Sequence, residues 1–344
     1  MRVTLRTRIG AWEIESLPGE KILRAALRQG VELPYECATG TCGTCKARLT
    51  AGRAESAWPD APGGRHCGAG ELLTCQSVAL DDCALEVDHL RPAEAGTPRP
   101  ATLKGTLRHP CRLTHDVISF DVELESRLVF AAGQFVLIEA PQIDGARAYS
   151  IAGFGRDGAQ LTLLAKRKPG GRFGEWLFGR GVEGAPLTVF GPLGRAVFDR
   201  TIRKNLLCLA GGTGIAGMVS ILRRAAAEGH FARFDAHLFF GVRAEWDAFY
   251  LEELTAIRRR HPRRISITVA LSNEEVPRSL IDAYPELNFG RGLVHEVASP
   301  HMQGRFSDLR AYVAGPRPMV DASVRLLLRE GRLPAQEILR DRFD

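Results

Sequence analysis

Residues 37–45 read Cys37-Ala38-Thr39-Gly40-Thr41-Cys42-Gly43-Thr44-Cys45, and Cys75 follows after 29 intervening positions. Three thiols from one glycine-rich loop and a fourth from a distant segment match the plant-type spacing for a 2Fe-2S cluster. Four thiolates and two sulfides gather negative charge that nearby backbone N–H groups must meet, so the chain has to curl closely around the sulfurs. Gly40 and Gly43 permit that curl, and the small Ala38, Thr39, Thr41 and Thr44 stay out of its way. The metal candidates are therefore Cys37, Cys42, Cys45 and Cys75. A zinc site, which favours paired C-x2-C units at shorter separation, and unrelated buried thiols are the rival readings. Cys67, Cys83, Cys111 and Cys208 fall outside the pattern and read as packing or surface residues, with Cys67 a potential substitute ligand.

Upstream of the loop, residues 3–8 and 11–16 read as two short strands around Gly10, and Ile22, Leu23, Ala26 and Leu27 recur at helical spacing. Residues 34–69 show little periodicity and read as loop. Downstream, 91–100 hold three prolines and a glycine among charges, a short stiff linker. Residues 102–165 then alternate apolar and polar positions in short runs, as a small antiparallel barrel does. From 205 to 340 apolar strands alternate with helical stretches (206–210 then 215–227, 236–240 then 248–258, 265–270, 312–314 then 319–328), the pattern of a parallel sheet wound with helices. The expected units are 1–92, a linker at 93–101, a barrel at 102–200 and an α/β unit at 201–344.

A length of 344 residues, 45% apolar and 25% charged, suits two or three globular domains and excludes a disordered or fibrous chain. Net charge is +6, split as −2 over residues 1–90 and +8 over the rest, with no basic run or stripe. Nucleic-acid binding is not expected; the positive balance suits solubility or an acidic partner. No run approaches the roughly 18 apolar residues of a membrane span, and Arg2, Arg6 and Arg8 precede no apolar signal region. No membrane association and a cytoplasmic location are expected, where five cysteines crowded between 37 and 83 point to metal before disulfide.

Arg147-Ala148-Tyr149-Ser150 closes an expected barrel strand and resembles the Arg-x-Tyr-Ser signature of the ferredoxin-NADP reductase superfamily. The resemblance implies that Arg147 meets the flavin phosphates, the Tyr149 ring stacks on the isoalloxazine, and the Ser150 hydroxyl reaches its central ring. A guanidinium suits a pyrophosphate and a flat ring suits a flat cofactor. Residues 168–174, Lys168-Pro169-Gly170-Gly171-Arg172-Phe173-Gly174, look like the family's pyrophosphate loop leading into a helix near 175–178. The flavin-binding candidates are Arg147, Ala148, Tyr149, Ser150, Lys166, Gly170, Gly171, Arg172, Phe173 and Gly174. Many relatives have Ser where this chain has Gly174. With a ferredoxin-like first unit, the resemblance implies FAD rather than FMN.

Gly212-Thr213-Gly214-Ile215-Ala216-Gly217 formally fits G-x-G-x-x-G, but no acid closes the next strand, which ends Gly241-Val242-Arg243. The ordinary dinucleotide fingerprint fails there. The same residues resemble the superfamily's nicotinamide segment, with Ala314-Gly315-Pro316 and Met319 as its late turn. Gly212, Thr213, Gly214, Arg243, Ala314, Gly315, Pro316 and Met319 are the candidates for that nucleotide; many members have Cys in place of Ala314. Phe343 either covers the flavin face until nicotinamide displaces it or is simply packed. Tyr149, Ser150 and Phe343 form the catalytic set, since hydride transfer is positioning rather than acid–base work. NADH is favoured because no basic cluster follows Gly241 to hold a 2′-phosphate; Arg243 alone leaves NADPH open.

The resemblance covers nearly the whole chain and implies a multidomain fold: a β-grasp 2Fe-2S ferredoxin domain, an antiparallel β-barrel for FAD, and an α/β parallel-sheet nicotinamide domain. It is similar to NADH-dependent reductase components of bacterial multicomponent oxygenases, benzoate dioxygenase reductase-like. It implies electron flow from NADH through FAD and the cluster to a terminal oxygenase. A Rieske aromatic-ring dioxygenase acting on an aromatic acid such as terephthalate or phthalate is favoured over a di-iron monooxygenase. A ferredoxin-like redox sensor with a degenerate flavin domain is the reading from another class, motivated by Gly174 and Ala314. A monomer is the default for this architecture.

Overall fold

The computed structural model describes residues 1–93, 98–155 and 158–343. Residues 94–97 of the expected linker lie outside them. The first unit is a five-stranded sheet in the order Gly10–Glu15, Arg2–Thr7, Cys83–Glu86, Lys46–Ala51, Glu71–Leu73. Arg2–Thr7 pairs antiparallel with its hairpin partner and parallel with Cys83–Glu86, and the helix Ile22–Arg28 buries Ile22, Leu23, Ala25, Ala26 and Leu27 against the sheet. This is the β-grasp arrangement. The loop expected over 34–69 is corrected in part: Lys46–Ala51 and Ala54–Ser56 are strands, and 62–66 form a turn of 3-10 helix. Alternation was present there, with Ala47 buried while Lys46 and Arg48 face out, but the surrounding Gly, Cys and Thr masked it.

Six strands close the barrel in the order Ala101–Arg112, Val117–Leu124, Gln160–Lys166, Arg147–Phe154, Phe135–Glu139, Pro186–Leu193, with antiparallel pairing throughout. Closure removes free edges and fills the interior with alternate side chains, among them Phe120, Val136, Ile151 and Leu163.

The third unit is an all-parallel sheet in the order Asn288–Arg291, Ile265–Leu271, Ala236–Val242, Asn205–Gly211, Leu309–Pro316, Ile338–Phe343. The central strand Asn205–Gly211 has its sequence successor on one side and the late strand on the other. Its carboxyl end is therefore the switch point where α/β sheets receive ligands. Two expected helices shift: one runs Arg172–Leu177, starting directly after Gly171, and the other runs Leu251–Arg260, because Glu245–Asp247 turn separately and Tyr250 adopts a left-handed φ of 62°.

The units share apolar cores. Phe135, Leu137, Phe190 and Leu193 of the barrel pack with Leu23, Leu33 and Ala38 of the first unit. Val117, Ala132, Ala152 and Leu164 pack with Ile215, Val219 and Leu222 of the third. Among the described residues no helix is long and apolar enough to cross a membrane.

Candidate functional site

Three units meet around one cleft of about 1340 Å³, lined by Cys37 and Lys21 from the first, Arg147, Tyr149, Ser150 and Phe173 from the barrel, and Thr213 and Phe343 from the third. The cysteine loop forms one wall. Cys45 and Cys75 bring their sulfurs to 3.1 Å, while Cys37 hydrogen-bonds with Cys42. No three of these sulfurs approach within 4.8 Å of one another among the described residues. Two separate pairs suit two irons, each taking two thiolates; one tetrahedral zinc would need all four together. That geometry disfavours the zinc alternative.

The loop's amides also face the sulfurs: Thr39 N–H donates to Cys37 Sγ at 3.4 Å and Thr44 N–H to Cys42 Sγ at 3.5 Å. Gly43 carries the curl, with φ at 79°; a Cβ there would lie 2.7 Å from the His66 ring. The hydrogen bond from Cys42 pulls the Cys37 thiol down to about 4 against the opposing effect of burial. The partner sulfurs and burial push Cys42 and Cys45 up. Each pair thus keeps a proton between its sulfurs, which a cationic metal pair would displace on binding.

Opposite, Tyr149 sits on the strand Arg147–Phe154, edge-on to Phe120 (5.9 Å) and tilted against Phe173 (5.5 Å). Burial raises its phenol well above the usual range, so it is a neutral flat surface at any working pH. Ser150 is 6% exposed and its Oγ has no hydrogen-bond partner among the described residues. An orphaned buried hydroxyl costs stability unless something supplies a partner, and a flavin ring nitrogen in the cleft is the right kind of group. Beside them, Gly171 and Gly174 also line the cleft, and Gly174 packs so that a Cβ would meet the Arg167 backbone at 3.1 Å.

The two arginines expected at phosphates are held on the neighbouring loop. Arg147 Nη1 donates to the Asp144 and Gly145 carbonyls at 2.6 and 2.7 Å; Arg172 pairs with Asp144 at 2.8 Å and donates to the Gln142 carbonyl. Arg172 and Gly170 line an adjoining groove with Trp176 rather than the main cleft. Lys166 lines the cleft but pairs with Asp116 at 2.9 Å.

On the third unit, Gly212–Gly214 turn directly off the central strand into the helix Ile215–Ala227. Gly214 is obligatory, since a Cβ would lie 2.2 Å from the Ala314 carbonyl oxygen. The same contact brings the Gly212–Gly214 turn against Ala314 and Gly315, and Met319 packs nearby over Gly211. Phe343 stands in register with Pro316 on the terminal strand. Arg243 lies farther off, exposed at the end of Ala236–Val242, with Glu245 N–H donating to Glu274 beside it.

Sequence reasoning missed several groups of the cleft wall: Lys21, Glu36, Gln76, Asp341 and Arg342. Only the last two had a visible signal, their adjacency to Phe343.

The 2Fe-2S iron-sulfur cluster binding domain family matches residues 9–80, the oxidoreductase FAD-binding domain family 104–198, and the oxidoreductase NAD-binding domain family 208–325. The ferredoxin–NAD(P)+ reductase CarAd of Metapseudomonas resinovorans is 34% identical, covering 94% of this chain and 95% of its own. The ferredoxin–NAD+ reductase component of the Xanthobacter autotrophicus alkene monooxygenase system is 33% identical, covering 94% and 95%. Among solved structures, the ferredoxin reductase in carbazole 1,9a-dioxygenase superposes with a TM-score of 0.85 at 31% identity, covering 100% of this chain and 99% of that one.

Proposed function

Because the chain belongs to the ferredoxin–NAD(P)+ reductase components of oxygenase systems, we propose that it oxidises NADH and delivers single electrons to a Rieske aromatic-ring dioxygenase. It is an oxidoreductase with 2Fe-2S, FAD and NAD domains. When bound, FAD accepts a hydride as an electron pair and releases electrons singly, which the 2Fe-2S cluster can take. The single observation that carries the reading is the common cleft, which places the loop of Cys37, the Tyr149–Ser150 strand and Thr213 around one space.

Each residue's work follows from its position. Cys37, Cys42, Cys45 and Cys75 would hold the irons. Tyr149 offers a neutral aromatic face and Ser150 an unsatisfied hydroxyl, fixing the flavin ring in the cleft. Arg147 on the cleft and Arg172 on the adjoining groove would hold the flavin's phosphates in place of their contacts to the 142–145 loop. Thr213, Gly315 and the terminal Phe343 shape the nicotinamide side, and Phe343 excludes water from the flavin face until the nicotinamide ring takes its place.

NADH is favoured over NADPH by the acids Glu245 and Glu274 beside Arg243, where a 2′-phosphate would meet negative charge. An aromatic acid as the oxygenase's substrate is an extension by family likeness. The alkene monooxygenase relative favours, as second reading, a di-iron monooxygenase as acceptor.

Purified protein reconstituted with FAD, iron and sulfide tests the core. NADH must bleach both chromophores and drive cytochrome c reduction, with NADPH weaker. A Cys42→Ser variant must keep NADH-driven ferricyanide reduction and lose transfer to protein acceptors. A protein that binds both groups yet is not reduced by NADH is the redox sensor instead. Pairing the reductase with a Rieske and with a di-iron oxygenase separates the two acceptors.

A further inference from the structure

Lys21 holds its ammonium at the boundary between the cysteine loop and the flavin cleft. Its ammonium donates to Gln76 Oε1 at 3.1 Å, and the other end of that amide, Nε2, donates to Cys75 Sγ at 3.7 Å. Among the described residues no carboxylate pairs with Lys21; Glu139, the nearby acid, is taken by Arg24 at 2.5 Å. Burial disfavours the charged ammonium, with Arg24 adding to the effect.

The relay is built rather than incidental. Lys21 bridges the backbone of Val78, and Leu23 N–H donates to the Thr74 carbonyl, so the start of the helix Ile22–Arg28 is fixed along the segment bearing Cys75. Gln76 is 4% exposed and lies under the cysteine loop, where a Cβ on Gly40 would meet its Cγ at 2.9 Å. The amide thus has one available orientation, carbonyl to the ammonium and N–H to the sulfur.

A half-buried ammonium costs free energy unless negative charge lies near it. Four thiolates and two sulfides around two ferric ions leave a dianion, which becomes a trianion on accepting one electron. An adjacent positive charge, and a hydrogen bond to a ligating sulfur, both favour the more negative state.

We propose that Lys21, acting through Gln76 on Cys75, is a positioning residue that raises the reduction potential of the cluster and so biases electron flow from flavin to iron. The proposal rests on the functional reading above.

The test is an EPR-monitored redox titration of the cluster in the full reconstituted chain. Lys21→Met is expected to shift the flavin-to-cluster equilibrium about tenfold against the cluster, a midpoint about 59 mV lower for one electron. Gln76→Leu moves it the same way, and Lys21→Arg restores most of the wild-type value. An unchanged midpoint in Lys21→Met and in Lys21→Gln, with iron content and EPR spectrum intact, overturns the proposal. A raised midpoint in either does so too. Failure of wild-type protein to take up a reducible cluster overturns instead the reading beneath it.

Discussion

Arg342 Nη1 reaches Glu36 Oε2 at 3.6 Å, pairing the last strand of the nicotinamide unit with the residue just before Cys37. Arg340 pairs with the same carboxylate at 3.5 Å, and Arg342 also holds Asp321 at 2.9 Å. The cysteine loop of the first unit and the last strand of the chain are thereby tied together beside the cleft.

Arg342→Ala removes two of these contacts from a side chain 20% exposed. A cost of about 1–2 kcal/mol is expected, between the exposed and buried limits for ion pairs. Thermal unfolding of Arg342→Ala, Glu36→Gln and the double variant measures it. Additive losses would mean that the pair contributes nothing.

Ser150→Ala deletes a buried hydroxyl that has no partner among the described residues. The apo fold should be as stable or slightly more so, while hydride transfer slows about tenfold or more, as when a preorganised donor is removed. Stopped-flow flavin reduction by NADH, at matched flavin content, checks the kinetic part. Unaltered rates would remove Ser150 from the catalytic set.

Gly214→Ala places a methyl 2.2 Å from the Ala314 carbonyl oxygen, which is backbone and cannot swing aside. A loss of about 1–3 kcal/mol is expected. NADH binding should fail before flavin or iron content does, because the displaced turn faces the cleft through Thr213. Isothermal titration with NAD+ gives the answer.

Asp341, half-buried in the cleft wall, is pushed up to about 7 by burial, with the Glu36 charge adding, against an ordinary value of 3.8. Below 3.8 both folded and unfolded forms are protonated and the group is neutral in its effect. As pH rises from there to 7 the unfolded chain ionises first, so the folded state loses stability, and above 7 the full cost stands. Asp341→Asn should therefore stabilise the protein at pH 8 and make no difference near pH 4. Denaturant unfolding across that range would count against the assignment if the two proteins ran parallel.

Local patterns with strong physical demands were readable from sequence. Cysteine spacing announced the loop, and the alternation in 102–165 announced a barrel, although its sixth strand, Pro186–Leu193, lies beyond that span. Gly214 was legible as part of a motif, but the reason for it, contact with Ala314 a hundred residues away, is tertiary. Lys21 and Glu36 carried no signal at all. Each is an ordinary surface residue type until the packing of other units covers it. The strand Lys46–Ala51 was hidden by its composition, since one buried alanine is a faint mark of a core face.

Phe135, Leu137, Phe190 and Leu193 share a continuous apolar core with the cysteine-bearing unit. A joint of that kind does not behave as a hinge. The iron pair is therefore not ferried to its customer on a tether: whatever collects the electrons must come to a stationary terminal.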